Sequence, residues 1–250
     1  MERLLRATAE AEARHFWFRG FRAFITPFVD RATRGRSTVR ILDCGCGTGA
    51  NIALLARFGQ AYGFDLSEDG VRLGHEAGRT RLVRATVTAA PFAAGAFDLV
   101  TSFDVLYSLQ AKDEYAAVVE MYRLIRPGGY ALINVAASEW LRGSHSVLSR
   151  ELRRYNRASL SALLASAGFI VERITYTNAT LFVPMAIVRA AQRLRGLPTE
   201  RDAGVEADIS VPPAPLNGAL TLLLRVESMW LRRFDAPFGS SLLCLARKPE

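Results

Sequence analysis

Asp43, Gly45, Gly47 and Gly49 stand at alternate positions, and Asp65 follows twenty residues after Gly45. Glycines at this spacing let the backbone approach a ligand closely and take turns closed to other residues. Where such a loop opens a helix, the free amides of the first turn favour an anionic group. A carboxylate placed like Asp65 can accept hydrogen bonds from both hydroxyls of a ribose. The chemistry these residues imply is capture of a nucleoside-bearing cofactor. Chemistry on a second molecule would fall to other groups. His145 is the first candidate for a general base, Tyr107, Tyr155 and Asp104 follow it, and Glu227 could orient an acceptor.

The surrounding pattern supplies the elements that must hold these groups. Val39, Ile41 and Leu42 read as a buried strand, and Ile52, Ala53, Leu54, Leu55 and Phe58 as the packing face of the helix that follows. Asp65 ends the next apolar run, Ala61-Tyr62-Gly63-Phe64. This frame also satisfies a looser dinucleotide fingerprint, Gly45-x-Gly47-x-x-Ala50. Later segments separate the two. Pro91-Phe92 leads through a loop to Phe97-Asp98-Leu99-Val100, and Arg126-Pro127-Gly128-Gly129-Tyr130 stands between a helix from Asp113 to Ile125 and a strand Ala131-Leu132-Ile133-Asn134-Val135.

Together these four segments, in this order over roughly the first 135 residues, resemble the class I S-adenosylmethionine-dependent methyltransferases. The resemblance implies a Rossmann-like, seven-stranded mixed sheet with helices on both faces and an antiparallel last strand, here carrying a helical lid insert. It implies S-adenosylmethionine as cofactor, held by Asp43, Gly45, Cys46, Gly47, Gly49 and Asn51 in the loop, by Asp65 and Leu66 at the ribose, and by Thr86, Val87 and Phe103 further along. Many relatives have Asp where this chain has Thr86, and a hydroxyl accepts from the adenine amino group without the strengthening charge. N-terminal helices of the family often cover the cofactor, which points to Trp17 as a closing group and to Arg19 or Arg22 as a partner for its carboxylate. The segments His15-Phe16-Trp17-Phe18-Arg19-Gly20, Arg153-Arg154-Tyr155 and Pro237-Phe238-Gly239-Ser240-Ser241-Leu242 further resemble a bacterial subgroup of these enzymes.

The chain's 250 residues, 50% hydrophobic and 22% charged, fit a globular protein with a full core. The absence of a long apolar run or a secretory leader gives an expectation of a cytoplasmic protein. Three cysteines and three histidines are too few and too scattered for a metal centre, so no metal is expected. The net charge of +8 is spread from Arg3 to Arg247 without an aromatic-interleaved patch, and Ser102-Phe103-Asp104-Val105 lacks the two prolines common after strand four in base-methylating enzymes. Both points argue against nucleic acid, and the charge suits an acidic substrate or an anionic membrane surface instead.

The expected division is an N-terminal helical lid over 1–36, a cofactor-binding core over 37–177, a helical insert or cap over 178–236, and a final core strand and tail over 237–250. One helix is expected from Glu2 to about Val29. A helix Ser159 to Ala167 should precede strand six, 169–176, with strand seven at 240–246. The insert holds an apolar segment from Thr180 to Arg195 and a helix from Leu216 to Phe234. A helical projection puts Leu216, Ala219, Leu220, Leu223, Trp230 and Phe234 on one stripe, with Arg225, Ser228 and Arg232 facing away. Glu227 falls inside that stripe, where its carboxylate should meet either an arginine from the protein body or a substrate. The functional expectation is methylation of a small molecule, with non-methylating use of the same cofactor, such as cyclisation, or a non-catalytic binding module as alternatives.

Overall fold

The structure, a computed structural model, describes residues 8–143, 146, 147, 149–194 and 210–250. A helical turn at 8–11 leads into α1 (Phe16–Thr33), followed by β1 (Arg40–Cys44), α2 (Ile52–Leu55), β2 (Gln60–Asp65), α3 (Glu68–Glu76), β3 (Leu82–Arg84) and β4 (Phe97–Phe103). Then come α4 (Ala111–Leu124), β5 (Ile125–Ala136), α5 (Arg157–Ser166), β6 (Ile170–Thr177), α6 (Phe182–Leu194), α7 (Ala214–Trp230) and β7 (Ser241–Arg247). The strands form one sheet in the order β3-β2-β1-β4-β5-β7-β6. β1 through β5 pair in parallel, and β7 runs antiparallel between β5 and β6. This is the Rossmann-like methyltransferase architecture expected from the motifs. No helix among the described residues is long and apolar enough to cross a membrane.

Strand alternation builds two apolar layers. On one face Leu42, Val100, Ala131, Ile133, Leu242 and Cys244 meet Val118, Met121 and Leu124 of α4 and Leu160 and Leu164 of α5. On the other, Ile41, Leu99, Leu132, Leu243 and Leu245 meet Phe24, Ile25, Phe28 and Val29 of α1 and Leu224 of α7. Asp98, the acid of the Phe-Asp segment, fixes the foot of the sheet. It is 3% exposed and accepts from Arg36 at 2.8 Å, from the Arg40 amide at 2.8 Å and pairs with Arg126 at 2.6 Å.

Three expectations are corrected. The N-terminal region is not one helix. It breaks at 12–15, where Asn217 of α7 accepts from the Phe16 amide at 2.8 Å and donates to the Arg14 carbonyl at 2.9 Å, and His15 caps α1 by accepting from the Trp17 amide. Residues 2–7 of the expected helix lie outside the described ones. The helix after the glycine loop is a single turn, with Ile52, Leu54 and Leu55 buried and Ala53 exposed. Most consequential, α7 is rotated from its projected orientation. Asn217, Thr221, Leu224, Glu227, Ser228 and Leu231 are buried, whereas Leu216, Leu223, Trp230 and Phe234 of the supposed inner stripe are exposed. Gly20 makes this seating possible, since a Cβ there would come within 2.3 Å of the Leu224 side chain, so α1 and α7 cross in close contact.

Candidate functional site

The site forms where the C-terminal ends of β1, β2 and β4 leave a crevice, the place where open α/β sheets bind ligands. β1 ends in Asp43 and Cys44, and the chain turns at once through Gly45, whose φ of +75° favours glycine and whose missing Cβ leaves room for Val105. The Gly45 and Cys46 amides donate to the Phe64 carbonyl at 2.9 and 3.0 Å, locking the loop to β2. Asp65 does the same from its side chain. One carboxylate oxygen accepts from the Gly47 amide at 2.7 Å and the other from the Ser67 amide at 2.8 Å. Ser67 in turn caps α3 by accepting from the Gly70 amide. The acid thus holds both the glycine loop and the start of the next helix.

A cavity over this loop is lined by Trp17, Arg22, Asp43, Gly45, Cys46, Gly47, Asn51 and Phe103 among the expected cofactor residues. Gly49 instead packs on Leu82 and Arg79. Leu66 is exposed, Thr86 bonds to the Thr88 hydroxyl at 3.0 Å, and these two with Val87 fall outside the cavity lining. Burial pushes the Cys46 thiol up, which leaves it a neutral wall group. Among the described residues, no cluster could hold a metal ion.

Sequence reading missed the roof. Glu12, 8% exposed, lines the cavity and accepts from the Thr48 hydroxyl of the glycine loop at 2.8 Å. Arg22 donates to the Glu12 carbonyl at 2.6 Å, and Phe21 meets Phe103 edge-on with centroids 5.0 Å apart. No local pattern announces a contact between residues 36 apart. Desolvation raises the Glu12 pKa, opposed by its Thr48 hydrogen bond and by Arg79 and Arg22. Asp43, 1% exposed, is pushed up to about 7 by burial; the Thr101 hydroxyl, donating at 2.6 Å, works against that shift and the charge of Asp65 adds to it. Two carboxyls with raised pKa values therefore face one cavity.

Asp104 lines the same cavity directly after β4. Its φ of +61° is a backbone conformation non-glycine residues rarely hold without compensation. Compensation comes from β5. The Asp104 amide donates to the Asn134 carbonyl at 2.9 Å, and the Asn134 side-chain amide donates to the Asp104 carboxylate at 3.0 Å. Tyr107 and Tyr155 are buried and absent from the cavity lining, and the Tyr155 hydroxyl is bonded to Glu114, which also pairs with Arg153. His145 lies outside the described residues.

Glu227 resolves differently from both alternatives drawn from sequence. Its carboxylate accepts from the Ala179 amide at 2.8 Å, the Thr180 amide at 3.1 Å and the Thr180 hydroxyl at 2.5 Å. An arginine is unnecessary because the chain between β6 and α6 supplies the donors, and this engagement commits the carboxylate to structure. Glu227→Gln exchanges one acceptor oxygen for an NH2 group facing those donors. It should lower unfolding free energy by about 1.5–3 kcal/mol, the range for hydrogen bonds to a charged group, while leaving ligand affinity at the glycine loop unchanged. Denaturant melts and calorimetry would check this, and full stability in the variant would show the contacts to be energetically idle.

Residues 42–133 match a family described as a methyltransferase domain. No curated protein is significantly similar to the chain. Among solved structures, the [4+2]-cyclase SpnF is similar at 20% identity and a TM-score of 0.57, covering 91% of this chain and 80% of that one. The YcgJ protein of Bacillus subtilis gives 14% identity and a TM-score of 0.56, with 90% and 98% covered. Phosphoethanolamine N-methyltransferase 2 of Haemonchus contortus, in complex with S-adenosyl-L-methionine, gives 19% and 0.54, with 89% of this chain and 51% of that one covered. Likenesses at these identities speak for the fold.

Proposed function

We propose that this chain, whose residues 42–133 match a methyltransferase-domain family, is a class I S-adenosylmethionine-dependent enzyme that methylates a small molecule, such as a natural product, sugar or lipid intermediate, by direct in-line transfer. The observation that carries this reading is the composition of the cavity wall. Three acids, Glu12, Asp43 and Asp104, line it against one cation, Arg22, and Asp65, outside the lining, holds the Gly47 amide of its floor, so the cavity suits a ligand that carries positive charge beside a carboxylate. S-adenosylmethionine fits that donor set, with a sulfonium and an ammonium group in one molecule, and when bound it supplies an electrophilic methyl group.

In this reading Asp65 holds the ribose, and Asp43 with the Gly45–Gly49 loop, Cys46 and Asn51 holds the methionine end. Trp17, Arg22, Phe103 and Glu12 cover the cofactor and exclude water. Leu66, Thr86 and Val87 are assigned to the adenosine end. Asp104 faces the acceptor side and takes or orients its proton, and Asn134 is a positioning residue that acts through Asp104. His145 keeps its assignment as a general base on sequence grounds alone. The lid pieces are 1–36 and 178–236, set around a core of 37–177 and 237–250. Rate enhancement of this kind comes largely from positioning and dry enclosure.

The test is to incubate the protein with methyl-labelled S-adenosylmethionine and separate small-molecule, lipid, RNA and protein fractions of a cell extract. Label is expected in a small-molecule or lipid product heavier by one methyl substitution, with stoichiometric S-adenosylhomocysteine. Label in RNA or protein overturns the acceptor class. An isomerised product of unchanged mass overturns methyl transfer in favour of cyclisation chemistry.

A further inference from the structure

Helix α7 is built inside out for a helix bounded by water. Its protein-facing side carries Asn217, Thr221, Glu227 and Ser228 beside Leu224 and Leu231. Each of those polar side chains has a partner. Asn217 clamps the Phe16 amide and Arg14 carbonyl, Glu227 takes the donors of Ala179 and Thr180, and the Thr221 and Ser228 hydroxyls donate to the Asn217 and Arg225 carbonyls. The opposite side carries Leu216, Leu222, Val226, Met229, Trp230 and, just beyond the helix, Phe234, exposed by 46–65%. Isolated exposed apolar residues are ordinary, but a contiguous ridge on one helix face marks a surface that meets something other than water. Trp230 and Phe234 stack on that side with centroids 5.5 Å apart, and the tryptophan, with its indole N–H, is the amphipathic ring that membrane interfaces favour. Helix α6 repeats the pattern with Val183, Ile187 and Leu194 exposed.

Charge decides what the ridge meets. Arg225, Arg232 and Arg233 are exposed beside it and form no ion pair among the described residues, and Asp235 is occupied by Arg173. The only acid within α7, Glu227, is buried on the far side. An apolar face with an interfacial tryptophan and flanking arginines, on a helix of 17 residues that is too short and polar to span, is the pattern of a helix lying in the headgroup layer of an anionic membrane. A protein groove would accept the apolar ridge but gives no reason for three cations that form no ion pair among the described residues.

We propose that the outward face of α7, with Leu222, Met229 and Trp230 as its apolar ridge and Arg225, Arg232 and Arg233 at its margin, docks the protein onto an anionic lipid bilayer. The proposal is independent of the acceptor, since none of these residues lines the cofactor cavity.

Flotation of the full chain with vesicles tests it, using equal phosphatidylglycerol and phosphatidylcholine against phosphatidylcholine alone. The protein should float with the anionic vesicles at low ionic strength and be released by salt. Arg225→Gln, Arg232→Gln and Arg233→Gln together should weaken partitioning roughly a hundredfold, about fivefold for each arginine near the surface. Leu222→Gln with Met229→Gln should weaken it about tenfold or more. Both variants should melt like the parent and keep its S-adenosylhomocysteine affinity, because the altered side chains are exposed. The proposal is overturned if the parent stays with the soluble fraction in both mixtures, or if either folded variant floats as the parent does. It is equally overturned if the parent sediments as a dimer that Leu222→Gln with Met229→Gln converts to monomer, which would make the ridge a contact between two copies.

Discussion

Replacing Asp65 by Ala is expected to raise the dissociation constant for S-adenosylhomocysteine by roughly 10- to 150-fold, equivalent to about 1.5–3 kcal/mol for lost hydrogen bonds to a charged group. Two effects act together. In the proposed assignment the ribose loses its carboxylate, and the Gly47 and Ser67 amides lose the acceptors that fix the glycine loop and the start of α3. The second effect predicts a companion loss of thermal stability, which a residue that touched only the ligand would not produce. Asp65→Asn, which keeps one acceptor oxygen, should fall between parent and Ala in both measurements. Calorimetric titration and thermal melts on the three proteins check the pattern. Unchanged affinity in Asp65→Ala would mean the ribose is held elsewhere.

The second large effect is a pH dependence set by Asp43. Its carboxyl sits at about 7 in the folded protein against 3.8 for the ordinary side chain, because burial disfavours the charged form. The folded protein therefore binds the proton more tightly than the unfolded chain. Its contribution to stability is fully present below pH 4 and is lost as pH rises to about 7, by an amount on the order of 4 kcal/mol at most. Asp43→Asn should flatten that decline, so the gap in melting temperature between pH 5 and pH 8 shrinks. Binding has the opposite sign. A cationic ligand favours the ionised carboxyl, and at pH 6 it must displace a proton that is already gone at pH 8. Affinity for S-adenosylmethionine should therefore climb across this range by up to about tenfold per pH unit below the pKa. S-adenosylhomocysteine, lacking the sulfonium charge, should climb less. Glu12, also raised, works in the same direction, and Glu12→Gln separates its share. Parallel pH profiles for the two ligands would show that the sulfonium does not sense these carboxyls.

The strands and the glycine loop were legible in sequence because they rest on short-range patterns, apolar runs of strand length and glycines where the backbone turns left-handed, whereas the mixed sheet and its antiparallel last strand were expected only through the family resemblance that those motifs carry. What escaped was of longer range. Glu12 meets Thr48 beside a bend between 8–11 and α1 that Asn217, two hundred residues away, holds. The orientation of α7 escaped for another reason. Periodicity shows that a helix has an apolar stripe without showing which medium the stripe faces. The usual assumption, that it faces the protein, fails where Asn217, Thr221, Glu227 and Ser228 all find partners inside. The partner of Tyr155, a candidate base in sequence, was also out of reach of local pattern, since Glu114, which engages its hydroxyl, stands 41 residues earlier.

The position of β7 carries a consequence for the making of the protein. β6 has one neighbour in the sheet, β7, and β5 has its outer edge covered by that same strand. A ribosome finishes β5 and β6 and must then synthesise all of 178–240 before Ser241–Arg247 appears. Throughout that interval five strands can assemble, yet the edge of β5 remains an open template and β6 has nothing to pair with. Synthesis thus passes through a stage in which a bare sheet edge and the apolar segments of the insert are exposed together. The nascent chain is most prone to sticking to its neighbours at that stage, and a chaperone shielding the β5 edge would have its greatest effect on yield there.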